Sequence, residues 1–178
     1  MQTWIALFRG INVGGHNSLP MKTLKELLAG LGAENIQTYI QSGNAVFTHA
    51  SRDSVKLAEQ ISLAVHETQA FKPEVMLLTE AALNAAIDAN PYPQAEADPK
   101  SLHLFFLAEP ARQAKLDEIQ ELAKDSEAFT LTESVFYLYA PEGIGRSKLA
   151  ERVERKLGVS ATARNWRSVR KIQELTEQ

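Results

Sequence analysis

The chain contains no cysteine. That one absence removes disulfides, thiolate zinc sites and cysteine nucleophiles together, and it fits a protein kept in a reducing compartment. Long apolar runs are missing as well: Trp4-Ile5-Ala6-Leu7-Phe8 is broken by Arg9, too short for a signal peptide or a membrane span. The expectation is a soluble, cytoplasmic protein with no membrane association. The four histidines, His16, His49, His66 and His103, are scattered without ligand spacing, so neither a metal nor a cofactor is expected. There is no low-complexity tract.

Charge of one sign does not dominate, but it is unevenly placed. The net charge is -3, with 10 Lys+Arg against 17 Asp+Glu in residues 1–140 and 9 against 5 in residues 141–178. A locally basic tail fits a solvated helix surface or contact with an anionic partner.

What is present reads as alternating strands and helices. A chain of 178 residues buries roughly 70% of its unfolded surface, enough for one domain or two packed halves. Residues 3–9 form a strand whose two alternating faces are both apolar, which predicts cover on both sides. Ser18 and Pro20 supply a helix start, Met21, Leu24, Leu27, Leu28 and Leu31 recur at helical spacing, and Gly32 stops the run. Strands at 36–40 and 45–48 flank the tight turn Gln41-Ser42-Gly43-Asn44. Ser51 is expected to cap a helix with Val55, Ala58, Ile61 and Val65 inward, and Pro73 precedes a strand at 75–78.

That order, βαββαβ, is the ferredoxin-like unit. A helix at 80–89 and the prolines of Asn90-Pro91-Tyr92-Pro93 through Pro99 mark a boundary, after which the pattern restarts. Strands are predicted at 102–107, 129–132 and 135–139, and a helix from Pro110 with Leu116, Ile119, Leu122 and Ala123 inward. A helix at 145–157 is stopped by Gly158. A short strand at 159–163 follows, and Thr162 is expected to cap a last helix carrying Trp166, Val169 and Ile172. The expected class is α+β, two ferredoxin-like (βαββαβ) halves in tandem plus a C-terminal helix. Residues 1–79 form the N-terminal half, 80–100 the helix and connector, and 101–178 the C-terminal half.

In such a unit the strands lie in the order 4-1-3-2, so strands one and two run parallel. The loop Arg9-Gly10-Ile11-Asn12-Val13-Gly14-Gly15-His16-Asn17 then emerges beside Gln41-Ser42-Gly43-Asn44. Gly10, Gly14, Gly15 and Gly43 leave backbone amides approachable there, and a helix N-terminus adds partial positive charge, the ingredients of an anion site. Arg9 supplies a bidentate cationic donor, the amides of Gly14 and Gly15 a cradle, and Asn12, Asn17, Ser42 and Asn44 orienting groups. Turn and cap duty is the competing account of the same residues. The spacing is neither a Walker loop nor a dinucleotide fingerprint, and Ser42 lacks the strand-to-helix elbow of a hydrolase.

The expected function is binding of a phosphate-bearing or other anionic small ligand, nucleotide-like, with no reaction assigned. Arg164 and Arg167 join that site if the last helix reaches it. One rival class is a nucleic-acid-binding module using the basic face of Arg164, Arg167 and Lys171; base stacking on Trp4, Phe8 and Phe47 is disfavoured because the strand is apolar on both faces. The other is a protein-interaction or oligomerisation module using residues 90–99 or a strand edge.

Four stretches, Arg9-Gly10-Ile11-Asn12-Val13-Gly14-Gly15, Thr38-Tyr39-Ile40-Gln41-Ser42-Gly43-Asn44, Asn90-Pro91-Tyr92 and Arg164-Asn165-Trp166-Arg167, occur in this order. Together they resemble the domain-of-unknown-function 1697 family of bacterial proteins, over nearly the whole chain. The resemblance implies two ferredoxin-like halves, and it implies no activity, substrate or catalytic residue.

Overall fold

A computed structural model describes all residues, Met1–Gln178. The fold is mixed α+β, with two four-stranded antiparallel sheets and six α-helices. Two units divide the chain: residues Met1–Ala85 with Lys171–Gln178, and residues Ala86–Arg170. No helix is long and apolar enough to cross a membrane.

The first unit runs β1 (Gln2–Arg9), α1 (Met21–Gly30), β2 (Glu34–Tyr39), β3 (Asn44–His49), α2 (Ser54–Gln69), β4 (Glu74–Thr79) and the start of α3 (Glu80–Asp88). Its sheet order is β2-β3-β1-β4. β1 and β2 are both antiparallel to β3, so their C-terminal ends lie at one end of the sheet. Alternation in β1 sends Trp4, Ala6 and Phe8 into one core with Phe47, Leu24 and Leu28 of α1, and Leu57, Ile61 and Val65 of α2. Ile5 and Leu7 on the opposite face are buried too, as the double apolar pattern predicts.

Two local expectations fail at the start of α2. Asp53 rather than Ser51 caps α2, its carboxylate accepting from the Lys56 amide at 3.0 Å, while the Ser51 hydroxyl accepts from the Asp53 amide at 3.2 Å. Val55 then lies about 200° around the helix from Leu57, at 100° per residue. It is 79% exposed instead of facing inward.

The second unit runs β5 (Leu102–Leu107), α4 (Leu116–Leu122), β6 (Ala128–Leu131), β7 (Val135–Tyr139), α5 (Lys148–Leu157), β8 (Ala161–Asn165) and the start of α6 (Trp166–Thr176). Its sheet order, β6-β7-β5-β8, repeats that of the first. Phe105, Leu107, Phe136, Leu138 and Ala161 pack against Ile119 of α4 and Leu149, Val153 and Leu157 of α5. Ser147 starts α5 by accepting from the Ala150 amide at 3.0 Å and donating to the buried Glu127 carboxylate at 2.6 Å. Gly158 ends it in the left-handed conformation.

The end of this unit corrects two readings. Thr162 does not cap the last helix; it pairs with Phe106 inside β8, and Asn165 accepts from the Ser168 amide at 2.9 Å. Arg164 is therefore a strand residue opposite Leu104, not a member of a basic helical face with Arg167 and Lys171. In the other half-predicted helix, α4 begins only at Leu116, which is 45% exposed rather than inward.

His103 shares a face of central strand β5 with Phe105 and Leu107, opposite Leu138 on β7 and Asn165 on β8. Its Nδ1 is buried with no hydrogen-bond partner, and burial lowers its pKa from 6.5 to about 4. Above pH 6.5 the ring is neutral in folded and unfolded chains alike. As pH falls below that value the unfolded chain takes up the proton and the folded one does not, so stability is lost between about 6.5 and 4, up to about 3 kcal/mol. Urea unfolding at pH 7 and pH 4.5 is expected to show a loss of about 2–3 kcal/mol in wild type beyond that in His103→Leu. Equal losses in the two proteins refute the assignment.

Candidate functional site

The loop after β1 is a miniature hairpin. The Asn12 amide donates to the Asn17 carbonyl and the His16 amide to the Val13 carbonyl, both at 3.0 Å. Gly14 and Gly15 occupy its tip at φ 58° and 76°, the pair of left-handed residues that a tight hairpin turn requires. Residues Val13 to Ser18 are all exposed.

One side chain ties this hairpin to everything beside it. Asn12 Oδ1 accepts from the Leu19 amide at 2.7 Å, while its Nδ2 donates to the Leu19 carbonyl at 2.9 Å and the Gln41 carbonyl at 2.7 Å. The loop and the β2–β3 turn are thus in direct contact. Asn17 closes the hairpin base, donating to the Gly10 carbonyl at 3.0 Å. With these side chains engaged inside the loop, α1 starts at Pro20 without a side-chain cap. Its first turn holds no acidic residue, and its leading amides stay open.

The β2–β3 turn divides into an inner and an outer part. Gly43 is buried at φ 88°, and a Cβ there would meet Phe8 Cβ and Ile11 Cδ1 at 2.6 Å. Asn44 is fully buried and donates to the Tyr39 carbonyl at 3.0 Å and to Ser42 Oγ at 3.2 Å. Gln41 and Ser42 face solvent. Ile40, exposed at φ 49°, is the unexpected residue: a β-branched side chain held in the left-handed region.

Cationic groups are distributed as follows. Arg9 ends β1 opposite Glu74 of β4, its Nη1 3.2 Å from the carboxylate, with both side chains partly exposed. Such a solvent-facing pair contributes about 0–1 kcal/mol. Lys171, in the stretch of α6 assigned to the first unit, bonds Glu174 at 2.7 Å. Its pKa is raised chiefly by that hydrogen bond, with a smaller electrostatic contribution from Tyr39, the residue before Ile40. Arg164 and Arg167 belong to the second unit. Arg164 donates to the Ala163 carbonyl at 2.8 Å and burial lowers its pKa to about 10, whereas Arg167 is exposed on α6.

Of the sequence-predicted residues, Gly10, Gly14, Gly15, Asn17 and Ser42 lie exposed on the rim, and Arg9 and Asn12 are partly buried. Gly43 and Asn44 are turned inward. Sequence reading passed over Ile40, which its alternation marked as the end of a strand, and Gln41, which carried no signal beyond the turn. Trp4, Phe8 and Phe47, the aromatics weighed for base stacking, are core residues.

The family model described as "Protein of unknown function (DUF1697)" matches residues 1–137, and the chain belongs to that family. Among solved structures it is similar to a conserved bacterial protein, SP0830 from Streptococcus pneumoniae. The two are 23% identical, with 98% of each chain covered and a TM-score of 0.73, a likeness of fold. No curated protein matches the chain.

Gly43 and Gly15 differ in what surrounds them, and their alanine variants separate packing from backbone strain. Gly15→Ala adds only strain, since nothing lies within 4 Å of its Cβ position, and should cost about 1 kcal/mol. Gly43→Ala adds that strain to a collision with Phe8 and Ile11 and should cost about 3 kcal/mol or more. Denaturant midpoints of the two variants check the order; equal costs contradict it.

Proposed function

We propose that the two units are ferredoxin-like halves and that the first binds a small anionic ligand bearing a phosphate at the rim formed by the loop after β1 and the β2–β3 turn. The repeated strand orders β2-β3-β1-β4 and β6-β7-β5-β8 support the first part. One observation carries the second. Seven of the chain's twelve positive-φ residues, Gly10, Asn12, Gly14, Gly15, Asn17, Ile40 and Gly43, gather in these two segments. Four of them are glycines and two are asparagines, which tolerate that region; Ile40 carries the strain, of order 1–3 kcal/mol, and such strain concentrates at ligand clamps.

The chemistry suits an anion. Exposed turn amides of Gly14 and Gly15 and the uncapped first turn of α1 present donors without a competing carboxylate, and Asn17 and Ser42 add polar groups. Arg9 supplies charge by exchanging a weak, solvent-facing partner for a phosphate oxygen. Anchoring of the loop by Asn12 lowers the entropy lost on binding.

Titration of isotope-labelled protein with inorganic phosphate and pyrophosphate, read by amide chemical shifts, tests the proposal. Saturable shifts at Gly14, Gly15 and Ser42 in the millimolar range are expected, with Arg9→Gln weakening the affinity about tenfold. Shifts that do not saturate, or that spread evenly over the surface, defeat it.

A further inference from the structure

We infer that the outward side of α5, in the second unit, is a docking surface for double-stranded nucleic acid, with Lys148, Arg152 and Arg155 as contacts to the phosphate backbone. The inference is independent of the rim in the first unit. Leu149, Val153 and Leu157 bury the apolar side of α5 in the core, which fixes what the helix turns outward. At 100° per residue, Arg155, Lys148 and Arg152 fall within about 60° of one another. All three are exposed, and none forms an ion pair. Lys156, at the edge of this stripe, is held by Glu118. Glu151 and Glu154 lie beyond Arg155, about 40° and 100° further round, so the charges of the helix are sorted by sign.

Stability does not account for that sorting. A solvated helix gains from opposite charges three or four residues apart, whereas Lys148 with Arg152 and Arg152 with Arg155 are like-charged pairs at those spacings. Lys148 opens the helix, where the partial positive charge of the open amides disfavours a cation. The whole chain has a net charge of -3, so the stripe is a local feature and not part of a generally basic protein. Charge complementarity selects a polyanion.

Geometry narrows the polyanion to a duplex. At 1.5 Å per residue the three cations occupy about 10 Å of a convex helix, too spread to converge on one phosphate. Phosphates on one strand of a duplex advance about 3.4 Å per nucleotide, so the stripe matches about three of them. α5 carries no aromatic ring on which an unpaired base could stack, which favours paired over single strands. An anionic membrane fits less well, because an interfacial helix inserts its apolar side and that of α5 is already in the core.

Fluorescence anisotropy of labelled DNA and RNA duplexes, titrated with the full chain across salt concentrations, tests this. For at least one duplex, log affinity should fall against log salt with a slope of about -3, the value for three phosphate contacts, and unrelated sequences should bind equally. Lys148→Gln, Arg152→Gln and Arg155→Gln should each reduce the slope by about one. Arg52→Gln with Lys56→Gln, exposed cations of the first unit, should leave it unchanged. Arg152→Gln relieves two like-charged pairs and should not lower the melting temperature, so that a lost slope is not lost folding. Absence of duplex binding at low salt, a slope that the three α5 substitutions leave unchanged, or an equal loss in the Arg52 and Lys56 control overturns the inference. Binding to phosphatidylserine vesicles without binding to either duplex overturns it as well. Amide shifts at Gly14 and Gly15 with inorganic phosphate report on the rim alone and are indifferent to these outcomes.

Discussion

The first unit's exposed rim depends on one amide side chain. Asn12 makes three short hydrogen bonds, two to Leu19 and one to Gln41, and so joins the hairpin, the approach to α1 and the β2–β3 turn. A carboxylate of the same shape has only acceptors and cannot make two of the three; a longer amide does not fit a 2.7 Å contact on both sides. The backbone accommodates it at φ 53°, a conformation that asparagine tolerates better than most residues. A segment rich in glycine would otherwise have high conformational entropy, and here it is held in a defined shape.

Once the hairpin is anchored, the neighbouring polar groups separate by role. Asn44 and Gly43 hold the turn from inside, one through its hydrogen bonds to Tyr39 and Ser42, the other by admitting Phe8 and Ile11 where a side chain would stand. Ser42 and Gln41 are left outside, with the tip of the hairpin. The rim is therefore a hydrogen-bonded inner frame carrying a small set of outward groups.

The two sheets share an order but differ in what they bury. β1 is apolar on both faces and contributes no titratable group to its core. β5 carries His103, with no partner for its buried Nδ1, which ties the second unit's stability to pH. The family comparison and the SP0830 likeness extend the architecture beyond this chain and leave the rim's chemistry to be read from its own residues.

The bounds of β5 and β7, the stop at Gly158 and the placing of two loops at one end were all legible in the linear pattern. Alternation, helical spacing and left-handed glycine depend on residues close in sequence, so neighbours alone reveal them. Thr162 shows where such reading ends: next to a helix it has the chemistry of a cap, but pairing across to Phe106 claims its backbone. Arg164 changes from a helix surface to a strand for the same reason. Likewise Ile40 completes an apolar alternation on paper, yet the tight return to Asn44 twists it to positive φ. By itself the sequence determined the kind, number and order of elements. Tertiary structure decided which polar groups of the rim turn inward and which face solvent, because a side chain's hydrogen-bond partners come from segments distant along the chain and near only after folding.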